Sequence, residues 1–167
     1  MVTKVYQHDE TAATLRWTDT TGTGALAMTF NALAATTGRQ GEILDFGTSA
    51  RAERFAWRLG VQFNTPPVVG QYIGVFVKTS DGNFPDNDDG TGNIAVSAQD
   101  KLRNLTQIGS VVVDEAATGV AMAKGGLISL PHRYFMPVVW NYTATAALVA
   151  TDNLCVFSLT PVPFEIQ

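Results

Sequence analysis

The sequence predicts an all-β protein, a single domain over residues 1–167 that folds as an antiparallel β-sandwich with a jelly-roll-like course. Roughly eight to ten short apolar runs follow one another at even spacing, and clusters of Gly, Pro, Asp and Asn separate them. No segment has a helical period longer than about two turns, so the helical crossovers that join parallel strands are missing. This number of strands fits two antiparallel sheets packed face to face.

The clearest strand spans residues 53–63, where apolar and polar residues alternate. Successive side chains of a strand point to opposite faces, so this alternation predicts a strand with one buried face. The buried face would carry Phe55, Trp57, Leu59, Val61 and Phe63, and the opposite face Arg54, Ala56, Arg58, Gly60 and Gln62.

Three more strands are predicted in longer apolar runs. A corner at Pro66–Pro67 precedes residues 68–77, which have few polar breaks and predict a strand covered on both faces. Residues 132–143 and 154–163 are rich in β-branched and aromatic side chains, which fit a pleated, half-buried surface. They predict two long strands joined by a connection rich in Ala, Thr and Asp.

The remaining segments are less regular. Residues 1–41 are rich in Ala, Thr and Gly, and they fit either two weak strands, near 15–17 and 25–30, or an extended N-terminal arm. Short β-type runs follow at residues 94–96, 102–113, 119–123 and 127–130, with Gly and Asp between them. Residues 100–105 could instead form one helical turn.

Composition limits the class of partner. Charged residues make up 16% of the chain, below the roughly 25% of typical soluble domains, which suggests that much of the surface meets other protein. The net charge is −4 with only 11 Lys and Arg, so the basic stripe that a phosphate backbone requires is missing. We therefore expect no nucleic-acid partner.

Cysteine use and hydropathy exclude other classes. The lone Cys155 lies in an apolar strand run, where we expect a small buried hydrophobic side chain and no intrachain disulfide. The first ten residues have no apolar core of a signal peptide, and no apolar run approaches about 18 residues. We expect neither export by a visible signal nor a membrane span.

An acidic segment over residues 80–93 is the one candidate for a metal site. It carries Asp81, Asp86, Asp88 and Asp89, and hard cations such as calcium bind clustered carboxylates. The spacing does not match the EF-hand pattern and lacks its closing Glu. A solvated, outward-facing loop is the better interpretation, and no cofactor or metal is predicted.

Catalytic residues are scarce. The chain has two histidines, His8 and His132, and one thiol, and it has no Gly-x-Ser-x-Gly motif. A dyad of Cys155 with His132 is the only nucleophile and base pair on offer, and a buried thiol would be inert. A cupin-type enzyme would need a set of metal-binding histidines. The sequence therefore predicts a non-enzymatic protein.

Two groups of side chains could form binding surfaces. An aromatic platform for sugars could use Trp17, Trp57, Trp140, Tyr72, Tyr134 and Tyr142, but Trp57 shares a face with Phe55 and Phe63, which favours core packing. The second group is Arg51, Arg54 and Arg58, which would form a positive patch pointing away from the core. This patch is either a solvated face or a contact with an acidic surface, on a partner or on the Asp-rich loop of a neighbouring copy.

The C-terminal third also carries a family resemblance. Its residues are Arg133–Tyr134 at the start of a strand, 138–143 in its continuation, Ala147–Leu148 and Thr151–Asp152 in the connection, and 159–163 at the close. With these residues the chain resembles the small virion structural proteins of tailed bacteriophages, in particular the β-sandwich cement or decoration proteins on capsid shells.

The resemblance implies a jelly-roll or related sandwich, usually a homotrimer, that is made in the host cytoplasm and then binds the major capsid protein on the virion surface. Its function would be to bridge capsomers and reinforce the shell. Residues 1–41 would then be a capsid-facing or subunit-exchanging arm, and Arg51, Arg54 and Arg58 interface candidates. The alternative is the receptor- or carbohydrate-binding head of a phage tail fibre.

Overall fold

The structure is a computed structural model that describes residues 14–19, 25–48, 53–82 and 92–162. Within these ranges the chain forms eleven strands and one short 3₁₀ helix at Gln99–Leu102. The strands are β1 Leu15–Thr18, β2 Ala25–Ala27, β3 Gly38–Gln40, β4 Leu44–Asp45, β5 Arg54–Val61, β6 Tyr72–Ser80, β7 Ile94–Val96, β8 Thr106–Val112, β9 Met122–Ser129, β10 Tyr134–Asn141 and β11 Val156–Pro161.

The strands form two sheets that pack against each other. The first sheet has the order β2-β1-β11-β5-β9 and the second β7-β3-β10-β6-β8, with β4 also paired to β10. Four antiparallel pairs are nested along the chain, β1 with β11, β3 with β10, β5 with β9 and β6 with β8. Such nesting describes one long hairpin wound around a sandwich, which is the jelly roll. The predicted fold class is confirmed.

Strand β5 forms as the alternation predicts. Phe55, Trp57, Leu59 and Val61 are buried, whereas Arg58 on the other face is exposed. The buried side chains enter the main core between the sheets, where they meet residues of β6, β10 and β11. One face of the first sheet is thus sealed, and its other face is left to solvent or to a partner.

Strand β6 is covered on both faces, also as predicted. Ile73, Val75 and Val77 enter the main core, while Phe76 belongs to a second cluster on the outer side. That cluster also contains Val96, Val138 and Trp140 of the same sheet and Leu102 of the 3₁₀ helix, so the helix covers part of the outer face of the second sheet. The outer face of the first sheet has no such cover among the described residues.

Several predicted boundaries are wrong. The strand expected from residue 68 begins at Tyr72, because Gly70 has φ +89° in a turn and leaves Val68 and Val69 more than half exposed. The two runs expected near 119–123 and 127–130 are the single strand β9. The two long C-terminal strands form as β10 and β11, but they lie in opposite sheets.

The predicted N-terminal segment contributes to both sheets. Residues 15–18 and 25–27 are strands of the first sheet, and residues 38–40 pair with β10 in the second. Residues 1–13 and 20–24 of the segment proposed as an arm lie outside the described residues.

The Trp57 indole lies between the two sheets at the edge that β8 and β9 form. The strands β8 and β9 end the two sheets, and Gly109 of β8 and Gly126 of β9 both face the Trp57 indole. A Cβ at Gly109 would come within 2.7 Å of the ring, and one at Gly126 within 2.9 Å. The indole therefore occupies space that any side chain at these two positions would need.

A buried polar network holds the connection after β10. The Asn141 side chain donates to the carbonyls of Leu33 and Ala146, and its oxygen accepts from the backbone and the hydroxyl of Thr143 at 3.0 and 2.7 Å. Asn141 and Thr143 are fully buried. The donors and the acceptor of the Asn141 amide all have hydrogen-bond partners. Because no polar atom of this buried side chain is left unsatisfied, the network stabilises this end of the sandwich.

Candidate interaction surface

The outer face of the first sheet carries the predicted arginines. Arg54 and Arg58 lie on the face of β5 opposite the core, with Arg58 exposed and Arg54 half-buried. Arg51 lies outside the described residues. Two of the three interface candidates are therefore placed on one surface, in the orientation that the alternation of β5 predicts.

The fold adds Arg16, which sequence reasoning missed. Arg16 of β1 pairs with Ser158 of β11, and Ser158 pairs in turn with Arg58 of β5. Arg16 is exposed, and its neighbour Trp17 is buried in the core, so the Arg16 side chain lies on the outer face. Neighbouring strands are about 4.8 Å apart, which places the Arg16 and Arg58 Cα atoms about 10 Å from each other.

Small side chains occupy most of the face around these arginines. Such side chains project little from a sheet, so another surface could approach its backbone closely. They are Ala56 and Gly60 of β5, Ala123, Gly125 and Ser129 of β9, and Ser158 and Thr160 of β11. Two larger apolar side chains lie on this face among the described strands, Leu127, which is 56% exposed, and the half-buried Val156.

The face is basic although the protein is acidic. Within the described parts of these strands, the outer positions carry Arg16, Arg54 and Arg58 and no carboxylate. Neither Arg16 nor Arg58 forms an ion pair with another described residue. Because the net charge of the chain is −4, the positive charge of this face is segregated from an acidic remainder. The arrangement suits contact with anionic groups.

Of the four aspartates in the acidic segment, the structure describes Asp81. Its carboxylate lies 3.0 Å from the His132 imidazole, and it accepts the backbone N–H of Arg133 at 3.4 Å. Asp86, Asp88 and Asp89 lie outside the described residues. In the parts of the chain that the structure describes, no three His, Cys, Asp or Glu residues are grouped to hold a metal ion.

A second ion pair lies at the same end of the sandwich. Arg133 donates to both oxygens of the Asp45 carboxylate at 2.7 Å, and its guanidinium lies 4.8 Å from the centre of the Tyr134 ring. The hydrogen bonds from Arg133 lower the pKa of Asp45 to about 2. This bidentate pair joins β4 to the residue that precedes β10.

The two candidate residues of a catalytic dyad are not brought together. Cys155 is buried beside Gln62, and burial raises the pKa of its thiol to about 11. His132 precedes the start of β10, whereas Cys155 lies near the end where β10 finishes. An eight-residue strand is about 23 Å long between its end residues. Cys155 is the small buried side chain that its sequence context predicts.

The tryptophans do not form a sugar platform. Trp17, Trp57 and Trp140 are at most 4% exposed, and Tyr134 is also buried. Tyr72 and Tyr142 are the accessible aromatic pair, with ring centres 4.6 Å apart, and Tyr72 is 36% exposed. The Gln99 amide donates to the Tyr142 hydroxyl at 3.4 Å, and partial burial raises the pKa of Tyr142.

A partly desolvated carboxylate follows β1. One oxygen of Asp19 accepts the backbone N–H of Asn31 at 2.6 Å, while the other is buried without a hydrogen-bond partner. The Asn31 amide donates to Asp152 at 2.8 Å. Burial raises the pKa of Asp19, and backbone hydrogen bonds oppose the shift only in part. No local pattern indicates this cluster, because Asp19, Asn31 and Asp152 are far apart along the chain.

Comparisons with known proteins give no family for this chain. No protein-family model matches the sequence, and no curated protein is significantly similar to it. Within the described residues, no helix has the length and apolar character needed to cross a membrane.

Proposed function

We propose that this chain is a non-enzymatic bacteriophage cement or decoration protein, which binds the outer surface of the capsid and stabilises contacts between capsomers. The observation that carries the proposal is the outer face of the first sheet. That face bears mostly small side chains, carries Arg16, Arg54 and Arg58, and has no covering element among the described residues. A face of this kind suits the broad surface of another protein better than a small ligand.

Two further properties support a structural role. The jelly roll is a common architecture of viral capsid domains, although the fold alone does not define a function. The low fraction of charged residues suits a protein that is covered by neighbours in an assembly. In a homotrimer on a lattice, modest contacts would add through multivalency, because each bound subunit raises the local concentration of the next.

Sedimentation tests this function directly. The purified protein is run alone to give its oligomeric state, and then with purified phage capsids that lack it. The proposal expects a trimer that co-sediments with capsids at a saturating, fixed ratio. A monomer that stays in the supernatant at every concentration would contradict the cement function.

The second candidate is the receptor- or carbohydrate-binding head of a tail fibre. The stacked pair of Tyr72 and Tyr142 favours it, since an exposed aromatic ring with nearby amides is a usual sugar contact. A glycan array distinguishes the two functions. A head would bind a defined glycan and lose that binding in Tyr72→Ala, whereas a cement protein would bind capsids with or without Tyr72.

A further inference from the structure

We infer that the outer face of the first sheet binds an acidic protein surface, and that Arg16 and Arg58, on either side of Ser158, are its principal contacts. This inference rests on the proposed function and deepens it by naming the chemistry of the partner. It also assigns a role to Arg16, which lies far from the other arginines in sequence and joins them only through the pairing of β1 with β11.

Arg16, Ser158 and Arg58 form a row across the first sheet, and the geometry of this row suits carboxylates presented on a surface. The Arg16 and Arg58 Cα atoms are about 10 Å apart across the sheet, and Arg54 lies about 13 Å along β5 from Arg58. Ser158 lies between the two arginines with a short side chain, so a partner can approach the sheet there without a clash. Each guanidinium can then form a bidentate pair with its own carboxylate.

The type of cation supports a protein contact. All three cations on the face are arginine, which is weakly hydrated and planar and is enriched in the buried parts of protein interfaces. Around them the face offers small side chains and the exposed Leu127, which would bury apolar area against a protein. A nucleic acid does not suit this face, because a phosphate backbone is bound by many cations. Here it would meet a short basic cluster on a chain of net charge −4.

Charge also excludes one occupant, a second copy of the same face. Two copies related by a twofold axis would bring guanidinium groups against guanidinium groups, and like charges in a desolvated contact oppose association. The complementary surface must therefore carry acidic residues that the described strands of this face do not supply. A separate, acidic protein surface fits this requirement.

The test compares two double variants with the same change in net charge. The row variant, Arg16→Glu with Arg58→Glu, reverses the charge of the row. Arg103→Glu with Lys124→Glu is the matched control, because both of these side chains are exposed and neither lies on the outer face of the first sheet. The probes are capsids that lack the protein, beads coated with poly-glutamate, and beads coated with heparin. Thermal unfolding checks that both variants keep the wild-type fold.

The inference expects the row variant to bind capsids at least about 100-fold more weakly than wild type, since close charge pairs at interfaces couple strongly. The control should bind within a few-fold of wild type, and added salt should weaken wild-type binding. If wild type binds capsids and the row variant binds equally well, the inference is overturned while the cement function stands.

If wild type does not bind capsids, the cement function falls and the beads decide the inference. Retention of wild type and control on poly-glutamate, with loss of the row variant, would support an acidic protein partner. Retention on heparin alone would overturn the inference in favour of a sulfated glycan. Failure to bind either bead would overturn it as well.

Discussion

Replacing Gly109 by alanine should destabilise the sandwich through a single methyl group. The added Cβ would lie 2.7 Å from two atoms of the Trp57 ring, well inside van der Waals contact. Trp57 is 3% exposed and is packed between β8 and β9, so it has little room to move. Overpacking of this kind costs about 1–3 kcal/mol. For a chain of this size, that loss lowers the melting temperature by about 3–10 °C.

Thermal unfolding of Gly109→Ala and of Gly60→Ala, followed by circular dichroism, gives the comparison. Gly60 lies in β5 near Trp57, but a Cβ there has no neighbour closer than 3.8 Å. Both substitutions add the same methyl group to a strand and remove the same glycine freedom from the unfolded chain. Gly60→Ala should therefore change stability by no more than about 0.5 kcal/mol.

A double variant identifies the cause. Trp57→Phe removes the part of the indole that the Gly109 methyl would strike, so Gly109→Ala should cost at least about 1 kcal/mol less in that background. The reasoning is refuted if Gly109→Ala is as stable as wild type, or if its cost is the same with and without the indole.

Three other changes have defined outcomes in thermal unfolding. Asn141→Ala should cost about 3 kcal/mol, because it leaves the buried backbone N–H of Thr143 without its acceptor and removes the hydrogen bonds to the carbonyls of Leu33 and Ala146, whereas the exposed Asn64→Ala should be near neutral. Asp19→Asn should raise the melting temperature at pH 7, since burial raises the pKa of Asp19 and so penalises its ionised form. That gain should shrink as the pH falls through the raised pKa of Asp19 and should be gone below 3.8, where the wild-type carboxyl is protonated in both states. Asp45→Asn should lower stability at pH 5 to 7, and the difference from wild type should disappear as the pH falls from 3.8 through about 2, the lowered pKa of Asp45. A stability difference that does not depend on pH would contradict either of the last two predictions.

Local patterns predicted much of the fold, because they depend on residues that are adjacent in sequence. The alternation in β5 set both its buried face and the outward direction of Arg54 and Arg58. The apolar run over residues 68–77, with its few polar breaks, correctly indicated cover on both faces of β6. Its start was wrong, because valines at 68 and 69 favour a strand while the turn at Gly70 takes them out of the sheet.

The interaction surface was only half predictable. Arg16 joins Arg58 through two strand pairings that connect opposite ends of the sequence, and register between such distant segments leaves no local pattern. The burial of Trp57 was predictable, because it shares a face of the predicted strand with Phe55 and Phe63, and its 3% exposure confirms that it packs in the core. Its contact with Gly109 and Gly126 was not predictable, because both glycines lie on strands that are distant in sequence.

The nested order of the strands has a consequence for how the protein is made. The strands at the centres of the two sheets, β10 and β11, lie late in the sequence, whereas their neighbours β1, β3, β5 and β6 are synthesised first. Pairing of residues so far apart makes folding slow. Until residues 156–161 leave the ribosome, β1 and β5 have no strand between them, and the Arg16–Ser158–Arg58 row does not exist. If the row is the contact that we infer, a nascent or truncated chain is unable to occupy the partner's site, and only finished molecules compete for it.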